Sequence, residues 1–131
     1  MIPQALVDRE VSHDGLSSLR VVSSMHERKA LMSELSDAFI ALPGGFGTIE
    51  ELCETLTWAQ LGLHGKPLAL LNVEGYFDAF LSFLDHAVEE RFVHAAHRRL
   101  VFEESDPEMA LTRFRSYVPP TVEKWLDAEE A

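Results

Sequence analysis

Short apolar runs alternate with helix-length periodic segments along this chain, and this alternation limits its fold more than any other feature. Residues 38–42 and 68–71 are uninterrupted apolar runs, and apolar residues at helical spacing follow each of them. A strand that is buried on both faces of a parallel sheet has this composition, and a crossover helix must follow it. The pattern predicts an α/β domain in which residues 38–42 form a central strand.

Turn and capping signals place the elements of the first third of the chain. Residues 1–3 resemble the end of a strand, and residues 19–22 form a second short strand candidate. Ser24 and Glu27 have the spacing of a capping box, which predicts a helix from Ser24 to about Ser36.

The same signals continue towards the C-terminus. A helix is predicted directly after residues 43–47, with Gly62 and Gly65 as stop signals. A strand near residues 100–102 precedes Asp106-Pro107, which is a typical cap and first-turn pair for a last helix. Between the helix after residues 43–47 and the strand near residues 100–102, a turn at Gly75 leads into another helix. Its apolar face carries Phe77, Phe80, Leu81, Leu84, Val88 and Phe92.

Size and charge exclude several classes of protein. The 131 residues fit one domain, and 22 acidic residues against 11 Lys and Arg give a net charge of −11, which argues against a nucleic-acid binder. No apolar run approaches the ~20 residues of a membrane span. The single cysteine, Cys53, lies on an apolar helix face, which favours an inert thiol in a reducing compartment. We therefore expect one soluble cytoplasmic domain over residues 1–131, without a nucleic-acid or membrane partner and with a peripheral acidic tail from about residue 119.

A glycine-dense loop at residues 43–47 follows the strand candidate at 38–42 and precedes a helix. Ligands bind at the carboxyl ends of the strands in open parallel sheets, so the topology places this loop at a binding edge. The loop matches neither GxGxxG, because Glu50 stands where glycine is needed, nor a P-loop. Backbone N–H groups at a helix start favour a phosphate, whereas the alternative is a tight turn that needs positive φ angles. The glycines alone leave both interpretations open.

Charged residues flank the same predicted edge. Arg28 and Lys29 follow the strand candidate at 19–22, and a right-handed crossover brings them to the same end of the sheet. A solvated helix face is the usual interpretation of such a pair, but an acidic protein that binds an anion must supply positive charge locally. Glu51 has capping-box spacing to Thr48, and this spacing alone favours a helix cap.

Other candidate groups carry less weight. Glu50 lies beside Glu51 at the predicted helix start, where the helix dipole favours acidic residues. His94 and His97 have no partner carboxylate at a ligand spacing, so we predict no metal site.

Two motifs in this sequence resemble the LONELY GUY (LOG) family. Residues 25–29 (MHERK) and 43–51 (PGGFGTIEE) match its paired signature in order and spacing, the second motif being PGGxGTxxE in the family. The segments 56–62 (LTWAQLG) and 66–75 are also similar, so the resemblance covers roughly residues 2 to 115. It implies a Rossmann-like, doubly wound parallel sheet flanked by helices.

The resemblance also implies an activity. LOG proteins are cytokinin riboside 5′-monophosphate phosphoribohydrolases, which cleave the N-glycosidic bond of adenine nucleotide monophosphates to free base and ribose 5-phosphate. By this resemblance Arg28 and Glu51 are the catalytic pair, no cofactor is needed, and the protein forms a homodimer or larger assembly. Family members have also been called lysine decarboxylases, although no residue pattern here signals a pyridoxal phosphate site. The implied substrate-binding residues are Glu10, Met25, Lys29, Gly44, Gly45, Gly47, Thr48, Glu50 and Thr57.

One departure from the family pattern concerns the N-terminal side. LOG proteins usually carry an earlier segment with the first strands and a second glycine-rich loop (GGGxxGLMG), and this sequence does not contain it. The resemblance therefore implies an N-terminally shortened domain in which one wall of the nucleotide site is missing. A non-catalytic nucleotide- or phosphate-binding module is accordingly the alternative to an active hydrolase.

Overall fold

The computed structural model describes residues 1–8 and 15–120, and it divides the chain into two compact units, Met1–Asp37 and Ala38–Ala131. The five strands of the described residues form two parallel sheets, and helices connect consecutive strands. The predicted α/β class is therefore confirmed. Glu10 and the acidic tail beyond residue 120 lie outside the described residues. No helix in the described part of the chain is long and apolar enough to cross a membrane.

The first unit contains a two-stranded parallel sheet. Strand β1 (Ile2–Pro3) pairs with β2 (Val21–Val22), with Ile2 opposite Val21. Helix α1 (Gln4–Val7) follows β1, and α2 (Met25–Leu35) follows β2. The strands that the sequence predicts at residues 1–3 and 19–22 are confirmed.

Helix α2 begins where the capping spacing predicts. The hydroxyl of Ser24, the N-cap, accepts a hydrogen bond from the Glu27 N–H at 3.1 Å. The Glu27 carboxylate accepts hydrogen bonds from the hydroxyl and the backbone N–H of Ser23, one residue before the cap. These two hydrogen bonds, the hydroxyl one first, lower the pKa of Glu27.

The second unit contains a three-stranded parallel sheet in the order β3-β4-β5. Strand β4 (Leu68–Leu71) is central, with β3 (Phe39–Ala41) and β5 (Val101–Glu104) at its sides. Ile40 of β3 is 38% exposed, whereas Leu68 to Leu70 are buried. The prediction that residues 38–42 form a central strand is wrong for this sheet, because an apolar run indicates burial but does not select the pairing partner.

Helices cover both faces of this sheet. Leu70 and Val101 belong to the core cluster with residues of α3 (Phe46–Gln60) and α4 (Asp78–Glu89). Side chains alternate along a strand, so Phe102 points to the opposite face, where its ring packs on Phe114 of α6 (Pro107–Ser116) at 5.7 Å between centroids. A short helix, α5 (Ala95–Arg98), precedes β5. The core cluster consists of Leu52, Leu68, Leu70, Phe77, Leu81 and Val101.

The predicted helices of this unit are found, with one correction. Asp106 caps α6 as expected, and its carboxylate accepts from the Glu108 N–H at 2.9 Å. Phe92 does not belong to the apolar face of α4, because the helix ends before Arg91, which has φ 65°, and Phe92 is 83% exposed.

Candidate active site

The glycine loop, residues 43–48, includes the connection from β3 to α3 and the first three residues of α3, and it lies at the carboxyl edge of the three-stranded sheet. Gly45 is the N-cap of α3, and its carbonyl accepts from the Ile49 N–H at 3.1 Å. Glycine has no side-chain oxygen, so Gly45 itself gives the first N–H groups of the helix no acceptor. Backbone N–H groups at the start of a helix that lack a capping side chain form an anion-binding arrangement.

The observed helix start excludes one role that the sequence suggested for Glu51. Because α3 begins at Phe46, Thr48 is the third residue of the helix rather than its N-cap. The interpretation of Thr48 and Glu51 as a capping box is therefore wrong. Glu51 stands in the second turn of α3, where it is half-buried, while Glu50 is exposed.

The glycines of this loop leave room for other atoms close to the backbone, and none of them has a positive φ angle. Among the described residues, the glycines with positive φ are Gly62 and Gly75, so the alternative that the loop needs positive φ angles is wrong. A Cβ on Gly44 would lie 2.9 Å from the Thr48 Cβ and closer still to its hydroxyl. A Cβ on Gly45 or Gly47 would meet no described atom within 4 Å, and this open space suits the approach of a ligand to the backbone.

An open cleft of about 310 Å³ adjoins the loop. Tyr76 borders this cleft from the turn after β4, and its hydroxyl donates a hydrogen bond to the Gly44 carbonyl at 2.5 Å. No motif in the sequence indicates Tyr76, although the turns that follow two adjacent parallel strands lie at the same edge of the sheet, which is a signal for this position. The cleft is lined by Gly44, Gly45, Phe46, Ile49, Tyr76, Phe77 and Phe80.

The predicted residues of the first unit lie at the start of α2. Met25 is 40% exposed, whereas Arg28 and Lys29 are half-buried. Partial burial of two adjacent cations differs from the fully solvated helix face that is their usual interpretation. That Arg28 and Glu51 face one cleft stays a prediction.

Thr57 lies on α3 away from the glycine loop. It follows Thr48 by nine residues, which corresponds to about 13.5 Å along the helix axis and to the opposite face of the helix. Its hydroxyl donates to the Cys53 carbonyl at 2.7 Å, and both residues line a separate cavity of about 160 Å³ that His97 also borders. Partial burial raises the pKa of the Cys53 thiol, although its side chain reaches solvent.

A protein-family model and several curated proteins match most of this chain. The protein-family model described as "Possible lysine decarboxylase" matches residues 1–114. The chain belongs to this family. Its relatives include the cytokinin riboside 5′-monophosphate phosphoribohydrolase LOG of Oryza sativa subsp. japonica, which is 50% identical over 119 residues, covering 91% of this chain and 49% of the relative.

Other LOG proteins match equally well. The cytokinin riboside 5′-monophosphate phosphoribohydrolase LOG1 of Arabidopsis thaliana is 48% identical over 119 residues, covering 91% of this chain and 56% of the relative. The resemblance to the LOG family that the two motifs indicate is thereby confirmed. The chain spans about half the length of the curated relatives it matches.

Proposed function

We propose that this protein hydrolyses the N-glycosidic bond of adenosine 5′-monophosphates, including those modified at N6, and releases the free base and ribose 5-phosphate. The observation that carries the proposal is the glycine loop, whose open N–H groups precede the half-buried Glu51 by little more than one helical turn. Support also comes from the LOG relatives, whose names state phosphoribohydrolase activity on cytokinin riboside 5′-monophosphate.

The proposed mechanism begins with the phosphate. The 5′-phosphate binds the N–H groups at Gly45 and Gly47, where the dipole of α3 favours negative charge. Arg28 is assigned a charge-assisted contact to the same phosphate, as the family resemblance implies. These contacts hold the nucleotide by its phosphate, so its ribose lies beside the second turn of α3.

Bond cleavage creates positive charge on the ribose. The bond between C1′ and the base nitrogen breaks with its electron pair moving to the base, so C1′ passes through an oxocarbenium-like transition state. The Glu51 carboxylate stabilises this charge, which is absent in the ground state. Glu51 also accepts a proton from water, whose oxygen bonds to C1′; the departing base takes a proton from solvent, and Glu51 later returns its proton to solvent. One water molecule is consumed.

The assay uses the full chain with AMP and with isopentenyladenosine 5′-monophosphate, followed by chromatography for free base. We expect release of adenine or isopentenyladenine from the monophosphates and no release from adenosine, which lacks the phosphate. Binding of AMP without base release would favour the non-catalytic binding module. If AMP neither bound to the protein nor lost its base, both hypotheses would be contradicted.

A cytoplasmic location belongs to the same proposal. The single cysteine of this sequence suits a reducing compartment, and the net charge of −11 disfavours binding to nucleic-acid and membrane phosphates. Fractionation of cells that express the chain, with detection by antibody, tests this location.

A further inference from the structure

We propose that Tyr76 is a positioning residue that holds the glycine loop in its anion-binding arrangement. Its hydroxyl donates a hydrogen bond to the Gly44 carbonyl at 2.5 Å, across 32 positions of sequence. The inference rests on the proposed function, because the loop is the proposed phosphate site.

The hydrogen bond acts through the peptide plane between Gly44 and Gly45. In a trans peptide the C=O and the following N–H point in opposite directions. By holding the Gly44 carbonyl, Tyr76 therefore sets the direction of the Gly45 N–H at the N-cap of α3. Two consecutive glycines would otherwise sample many orientations, and an anion would have to order them on binding. The Thr48 side chain packs against Gly44 as well.

Tyr76 is itself held by its neighbours, although its side chain is 54% exposed. Its ring meets Phe77 edge-on, with 5.1 Å between centroids and 85° between ring planes, and Phe77 is buried. The Phe77 N–H donates to the Asn72 side-chain oxygen at 2.8 Å. The Asn72 amide nitrogen donates to Asp78 at 2.7 Å and to Glu103 of β5 at 2.5 Å. Asn72 thus fixes the turn that carries Tyr76 to the edge of the sheet.

The turn before Tyr76 has an unusual backbone that its surroundings specify. Glu74 has φ 51° and Gly75 has φ 74°, so two consecutive residues adopt left-handed conformations. A non-glycine residue such as Glu74 is uncommon in this region and persists where neighbouring contacts determine it. The φ of 74° favours glycine at position 75, and a Cβ there would also lie 2.6 Å from an Asp78 carboxylate oxygen. The fold therefore maintains a strained turn directly before the residue that contacts the glycine loop.

The test compares Tyr76→Phe with Tyr117→Phe in the full chain. Tyr76→Phe removes the hydroxyl and keeps the ring on Phe77, while Tyr117 is the only other tyrosine in the sequence and lies at the C-cap of α6. We expect Tyr76→Phe to weaken the binding of ribose 5-phosphate by about 3- to 10-fold, the effect of losing one hydrogen bond. Amide hydrogen exchange at the glycine loop should accelerate at Ile49, whose N–H donates to the Gly45 carbonyl, and stay unchanged in β4 and α4. Tyr117→Phe should change neither quantity.

The outcomes separate this inference from the proposed function. Unchanged affinity and unchanged loop exchange in Tyr76→Phe would overturn the positioning role. Faster exchange throughout the second unit would also overturn it, because Tyr76 would then stabilise the fold as a whole. If the wild-type protein released no base, the proposed function would fail, while the local exchange comparison would still decide whether Tyr76 orders the loop.

Discussion

Glu51 stands in the second turn of α3, past the position at which a carboxylate can complete a capping box with an N-cap residue. Glu51→Gln should lower kcat by ~10²–10³, because the amide keeps the shape but cannot balance the charge of a ribosyl cation or accept a proton. Binding of AMP should hold or tighten, since a negative charge near the phosphate is removed. Steady-state kinetics and calorimetry measure both, with Glu54→Gln on the same helix as control. A raised KM with unchanged kcat, or no change at all, would contradict the catalytic role.

Arg28 is assigned a different part of the reaction. Arg28→Ala removes a charge-assisted contact to the phosphate, so AMP should bind about 10- to 100-fold more weakly. Adenosine lacks the phosphate, and its affinity should stay the same in Arg28→Ala as in the wild type. Calorimetry with the two ligands checks this difference. Equal weakening for both would show that Arg28 does not act on the phosphate.

Cys53 combines an exposed side chain with a thiol whose pKa is raised by partial burial. The thiolate is the nucleophilic form, so a raised pKa leaves less of it near neutral pH. We expect iodoacetamide to modify Cys53 more slowly than it modifies glutathione at about pH 7.5, with a rate profile displaced to higher pH. In urea the same thiol should react at the ordinary rate. Mass spectrometry over a pH series measures the rates, and a profile at or below the pH range of the glutathione profile would contradict the raised pKa.

Among the elements, α2 depends on its N-terminal hydrogen bonds. The pKa of Glu27 is lowered from its ordinary value of 4.5 by the Ser23 hydroxyl and N–H, so the ionised form stabilises the folded state. This stabilisation is present above the unfolded pKa and is lost as pH falls through the folded pKa. Glu27→Gln should therefore destabilise the protein at neutral pH, and the difference from wild type should shrink towards about pH 3. Urea unfolding at both pH values tests this, with Glu34→Gln on α2 as control; a pH-independent difference would exclude the charge as its cause.

Element ends were predictable where one local signal dominates. Gly62 ends α3 with φ 74°, and the N–H groups of Gly62 and Leu63 donate to the carbonyls of Ala59 (3.1 Å) and Trp58 (2.9 Å), as the glycine stop signal predicts. The start of the same helix was not predictable in this way. Gly45 and Thr48 both have capping potential, and local spacing favours Thr48, whereas the observed start is at Gly45.

In the candidate site, too, features within one contiguous motif were predictable, whereas contacts between distant positions of the sequence were not. The glycine loop and Glu51 are visible in the sequence because their motif is contiguous. Tyr76 and Asn72 are not, because their roles depend on contacts with residues about 30 positions away, Gly44 and Glu103. Strand order is equally non-local, since β4 becomes central only through its pairing with β5. Local patterns therefore predict the elements, while tertiary contacts decide their order and the support of the site.

At the scale of the whole molecule, the second unit leaves large apolar side chains exposed. Leu52 of α3 is buried within the chain's own core, so its side chain is not available to an interface. Phe46 at the glycine loop is 96% exposed, and Phe83 of α4 is 63% exposed. Contiguous exposed apolar patches are typical of surfaces that a partner covers. Phe46 and Phe83 are the most exposed of the large apolar side chains in α3 and α4, so we place the predicted association surface on these helices.

We accordingly predict a homodimer or larger assembly through the face of α3 and α4. Light scattering at micromolar concentration should give at least twice the chain mass of 14.7 kDa. Phe83→Asp should shift the protein towards the monomer, because association would bury an unpaired carboxylate. Met109→Asp is the matched control, since Met109 is also half-exposed but lies on α6, which covers the opposite face of the sheet. A monomer mass for the wild type would overturn the assembly, and equal effects of the two variants would exclude this face as the interface.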